Sequence, residues 1–89
     1  MTPEQIAELE AKARNCRDNA RAELLVVDAF MPEYMRGISG EPTASKETNA
    51  RSMELYDFAI KGRHRADNFI RDAELFEAAA KMGREALQR

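Results

Sequence analysis

A stripe of apolar residues runs unbroken through the second half of the chain: Leu55, Ala59, Gly62, Ala66, Phe69, Ala73, Phe76, Ala80, Gly83 and Leu87. Its steps alternate between four and three residues, the heptad spacing that keeps one edge of an α-helix against a neighbour. Gly and Ala alternate with Phe and Leu, so two backbones can approach closely while the large side chains fill the adjoining gaps. The spacing predicts a helical region from about residue 46, capped by Ser45, to about 88. Unbroken, that helix is about 65 Å long at 1.5 Å per residue. Gly62 costs roughly 1 kcal/mol relative to alanine in a helix interior, which makes 62–68 the place for a bend. A shorter stripe of Met53, Tyr56 and Ile60, with Phe58 nearby, widens the apolar face of the first third and calls for a second neighbour there.

The first helix is expected over about 3–31. Thr2 caps it, Pro3 suits the first helical position, and Gln5 lies three residues after Thr2, a capping box. Ile6, Leu9, Ala13, Cys16 and Ala20 form its apolar stripe. From Leu24 to Met31 the helix is apolar around its circumference, a pattern usually buried on all sides. The Val26-Val27 pair admits a short strand, but no second strand candidate exists to pair with it. Pro32 is expected to end or kink the helix, because proline removes an amide donor and crowds the preceding turn. A short turn over 32–36 and a Gly/Pro/Ser loop over 37–45 follow, short enough to join antiparallel neighbours.

These elements predict an all-α chain: a long antiparallel helical hairpin, a single domain over 1–89, completed into a helical bundle by dimerisation. An 89-residue chain has a thin core. Much of the apolar composition here is alanine, and both helices present more apolar surface than one mutual contact covers. The competing architecture is a monomeric three-helix bundle, with the second region folding back at a break.

Net charge is −2, with a pI near 5.4, which argues against a general nucleic-acid binder. Residues 1–44 hold five Lys/Arg against eight Asp/Glu, and residues 45–89 hold nine against eight, so any anion-binding surface is local. A single cysteine, Cys16, excludes an internal disulfide and a cysteine-based zinc site. The N-terminus lacks the pattern of a signal peptide, and the longest strongly apolar run, Leu24–Val27, is far shorter than a membrane span. A cytoplasmic protein without membrane contact is expected.

Two basic groups are candidate ligand-binding elements. Arg14, Arg17 and Arg21 share one helix face, and Lys61, Arg63, His64 and Arg65 surround Gly62. Together they would hold a phosphorylated or nucleotide-like anion, provided antiparallel packing brings them together across the hairpin or across a dimer. The competing reading is ordinary solvation and pairing with nearby Asp and Glu. His64 and Asp67 alone are too few for a metal site, and Lys61 stands where a helical di-iron pattern needs Glu, so no metal or cofactor is predicted. Cys16 reads as a small core residue, one histidine supports no catalytic triad, and in loop 37–46 Gly40 is followed by Glu41, not by the Lys and hydroxyl residue of a phosphate-binding loop, with no strand before it. Asp28 is the one carboxylate in apolar surroundings, where it meets an arginine or faces solvent.

By elimination the sequence points to a non-enzymatic helical interaction protein, self-associating as a homodimer or higher oligomer and binding a protein partner as an adaptor or inhibitor. The candidate interface residues are Phe30, Met31, Tyr34 and Met35, an adaptable Met/aromatic cluster near the helix end, with Leu55, Phe69, Phe76 and Leu87 from the stripe. Anion binding through the Arg/Lys groups is the alternative, and weak nucleic-acid binding the third reading.

Overall fold

The computed structural model describes residues 1–38 and 46–89, with side chains over 1–30 and 50–89. Two helices, α1 (Pro3–Ile38) and α2 (Lys46–Leu87), lie side by side as an antiparallel hairpin. The rod has Cα extents of 68 × 14 × 13 Å. The expected capping box starts α1: the Thr2 amide donates to Gln5 Oε1 at 2.9 Å, and the Gln5 amide donates to Thr2 Oγ1 at 3.2 Å. Two donors that the helix itself leaves unpaired are thereby satisfied.

Two boundaries differ from the sequence reading. α1 does not end at residue 31, and no separate turn occupies 32–36; the helix passes through Pro32 to Ile38. Proline deletes one hydrogen bond, to the Asp28 carbonyl, a local loss that a helix of 36 residues can bear. α2 is one helix through 62–68, which excludes the folded-back three-helix arrangement. Of the expected loop, residues 39–45 lie outside the described residues.

The seam fixes the register. A Cβ built on Gly62 would fall 2.6 Å from Val27 Cγ2, and one built on Gly83 would meet Ile6 Cγ1 at 3.0 Å. Between these contacts each helix advances three heptads in opposite senses. The intermediate layers therefore set Ala13 opposite Phe76 and Ala20 opposite Phe69. Each of these layers places one large side chain against one small one: Ile6 and Val27 face glycine, and both phenylalanines face alanine. In the alternate layers Ala80, Ala66 and Ala59 on α2 face the larger Leu9, Glu23 and Phe30 on α1, and Ala73 faces the small Cys16.

This packing brings the backbones close but buries little area. The buried core consists of Ile6, Ala13, Ala20, Val27, Leu55, Ala66, Ala73 and Ala80, and Val27 is its largest fully buried side chain. α1 also reaches the far end of α2, so Phe69 and Phe76 are half-buried within the chain rather than left without cover.

Gly62 and Val27 form a matched pair that mutation can test. Gly62→Ala gains about 1 kcal/mol of helix propensity but drives a methyl into a stiff β-branched side chain, an overpacking cost of roughly 1–3 kcal/mol. Val27→Ala leaves a cavity and costs roughly 2–3 kcal/mol. In Val27→Ala/Gly62→Ala the added methyl occupies the vacated space, so the double variant is expected to be more stable than the two single changes predict, by at least about 1 kcal/mol. Urea unfolding at one fixed protein concentration measures this, and strict additivity would show that the two residues do not share a layer.

Candidate functional site

Ion pairs mark both edges of the seam. On one edge the Arg17 guanidinium binds Glu77 through two bonds, Nη2 to Oε1 at 2.6 Å and Nε to Oε2 at 2.9 Å, and Arg84 pairs with Glu10 one heptad away. The sign of the charge on each helix alternates along this edge. Sliding α2 by one heptad would oppose Glu10 to Glu77, and sliding it the other way would oppose Arg17 to Arg84. Like charges thus disfavour both neighbouring registers. On the other edge Arg65 donates to both oxygens of Glu23 at 3.1 Å, and Lys12 Nζ lies 5.9 Å from the centre of the Phe76 ring. Glu23 occupies a seam layer, facing the small Ala66, and its charge is met by the planar fork of Arg65.

The hydrogen bond from Arg17 holds the Glu77 carboxyl below its usual range, with the nearby positive charge adding to the effect. The same bond raises Arg17 above its ordinary value. Both side chains remain nearly half exposed, so solvent screens the pair and its main effect is on register.

The predicted anion site does not assemble within one hairpin. Arg17 and Arg65 are engaged by Glu77 and Glu23, Lys61 binds Asp57 at 2.8 Å, and Arg21 approaches Asp18 only to 3.9 Å. The register sets Lys61–Arg65 beside residues 24–28 of α1, one to four helical turns from the Arg14–Arg21 stripe. Arg14, Arg63 and His64 are exposed and form no ion pair among the described residues. Arg14 lines a groove of about 300 Å³ at the terminal end of the rod, with Ile6, Glu10, Arg84 and Leu87. Cys16 is half-buried in the seam and Asp28 is exposed. Among the described residues no group of three or more His, Cys, Asp or Glu could hold a metal ion, and no helix is long and apolar enough to cross a membrane.

The exposed apolar surface is concentrated at the loop end. The expectation that Leu24–Met31 is buried on all sides is not met for the residues whose side chains are described: Leu25 is 64% exposed and Val26 45%, with Leu24 and Phe30 also exposed and only Val27 covered. On α2, Met53, Tyr56, Phe58 and Ile60 are exposed at the same end. Phe30 and Phe58 meet edge to face, with ring centres 5.6 Å apart and an interplanar angle of 78°. With Leu55 they line a groove of about 340 Å³, and a second of about 320 Å³ follows on the same flank beside Val26 and Phe69.

The candidate interface residues therefore divide. Phe30 and Leu87 are exposed, while Leu55, Phe69 and Phe76 serve the intrachain seam. Met31, Tyr34 and Met35 lie within α1, but their side chains are outside the described residues. Leu24, Leu25, Val26 and Met53, exposed here, belong to the apolar surplus read from the sequence but not to the candidate interface set. Their signal was the excess of large apolar residues over the two seam positions available per heptad.

No family model, curated protein or solved structure matches this chain.

The Arg17–Glu77 pair predicts an acid response. Because Glu77 is depressed below its ordinary value of 4.5, its contribution to stability is complete above that value and is lost as pH falls through the lower folded one. Melting temperatures at pH 6.5 and pH 3 are expected to differ less for Glu77→Gln than for the native chain, and an identical acid loss in both would show that the pair contributes nothing to stability.

Proposed function

We propose that this protein is a non-enzymatic helical interaction module, which self-associates and binds a macromolecular partner in the manner of an adaptor or inhibitor. One observation carries the reading: eight large apolar side chains, four from each helix, are exposed together at the loop end of a rod with an alanine-rich core. Burying apolar area is the main favourable term in association, and a single scattered side chain would need no such account. Two flanks of the rod are apolar at this end, enough for a second copy on one and a different protein on the other. The anion-binding alternative is weaker, because Arg17, Arg65 and Lys61 already have carboxylate partners within the chain. The cytoplasm is the proposed compartment.

Native mass spectrometry combined with light scattering across a dilution series tests the self-association. The expected result is a mass that is a whole multiple of 10.1 kDa at micromolar concentration, falling on dilution. A chain that remains at 10.1 kDa throughout would overturn it. Leu25→Glu/Ile60→Glu is expected to shift the native oligomer toward monomer without loss of helix content by circular dichroism.

A further inference from the structure

We propose that the edge of the hairpin carrying Leu24 and Tyr56 is a homodimer face, on which a second copy of this chain packs with its rod parallel to the first, about a twofold axis running along the hairpin. This geometry rests on the self-association proposed above and specifies its face, its symmetry and its charge pairs.

Heptad phase identifies the face. Leu24 follows Arg17 by seven residues, and Ile70, Arg63 and Tyr56 precede Glu77 by successive heptads, so all continue the edge marked by the Arg17–Glu77 pair. One row further out on the same side lie Arg14, Arg21 and Asp28 on α1, and Glu74, Asp67 and Ile60 on α2. Each stands three residues before or four after an edge position, the spacing of neighbours on a helix surface.

A twofold axis along the rod lays α1 of one copy over α2 of the other at equal height. The heights follow from the Val27–Gly62 and Ile6–Gly83 contacts. Arg14 then stands within one residue of Glu74 of the second copy, Arg21 within one residue of Asp67, and Asp28 within two residues of Arg63. At about 1.5 Å per residue these are side-chain distances. Within one hairpin these charges are met only weakly: among the described residues Arg14, Asp28, Arg63, Asp67 and Glu74 form no ion pair, Glu74 acts on Arg17 only through space, and Arg21 comes only to 3.9 Å of Asp18. The axis also sets the two copies' edge pairs beside each other with alternating sign. Arg17 and Arg84 each then lie between two carboxylates, so no edge charge is covered without a counter-charge.

The opposite flank offers no such match, since Glu8 and Asn15 stand there at the heights of Met82 and Leu75. Antiparallel rods would lay α1 on α1 and lose the pairing. Leu24, Met53, Tyr56 and Ile60 are exposed on this side, an apolar patch available for burial between two copies.

Charge reversal tests the face directly. Arg14→Glu/Arg21→Glu and Asp67→Arg/Glu74→Arg are each compared with the native chain by sedimentation velocity, with circular dichroism to verify helix content. Each variant alone is expected to dimerise at least roughly tenfold more weakly, because like charges then meet at every one of these pairs. An equimolar mixture is expected to recover native-like affinity, since a heterodimer restores all of them. Helical variants that dimerise as tightly as the native chain, or a mixture that recovers nothing, would overturn this face and axis while leaving self-association standing. A native chain that is monomeric at every concentration removes both and assigns the face to a different protein.

Discussion

The close approach of two backbones along a seam of alanine and glycine is the constraint on which the rest of the structure depends. At Gly62 and Gly83 even one added methyl would collide with the opposite helix, at 2.6 Å from Val27 and 3.0 Å from Ile6. Such proximity is available only because every layer carries at least one small residue. It follows that no layer can be enlarged on its own, and that a residue in the seam has its size set by a partner distant in sequence. This is the usual jigsaw condition of a packed interior, compressed here into one line of contacts.

Close packing of small residues brings precision without much buried area. Val27 is the largest side chain fully covered, so the hydrophobic stabilisation of a single hairpin is modest and helix formation must be supported by other means. The capping box at Thr2 and Gln5 is one, and the edge ion pairs are another. Exposed pairs contribute little to stability. Their alternating signs nevertheless penalise a slip of one heptad in either direction, a task that a uniform line of alanines cannot perform. Size complementarity and charge alternation therefore select the same register independently.

Apolar material absent from the seam is found on the surface at the loop end. Leu24, Leu25 and Val26 cannot all face one neighbour, because consecutive residues on a helix lie about 100° apart. Once Val27 has taken the seam position, the other three are left outside it. The same holds for Met53, Tyr56 and Ile60 around Leu55. The thin core and the exposed loop end thus have a common origin: this chain invests its large side chains away from its own interior, where association is the natural way to cover them.

Much of the fold was legible in the sequence. The heptad stripe of α2, the capping box and the all-helical hairpin are local or periodic properties of one segment, and a helix displays them whatever it packs against. Pro32 misled because it costs a single hydrogen bond, which a helix of 36 residues can bear. The partners of the basic groups were hidden for a related reason: a run of Arg and Lys reveals its charge but not the carboxylates opposite, and Glu77 and Glu23 lie 60 and 42 residues from the arginines they bind. By itself, then, the sequence determined which segments are helical and which edge of each is built to be buried. Only the tertiary structure decided which residues face each other, where the apolar surplus is exposed and which charges are paired within the chain, because a register belongs to two segments at once.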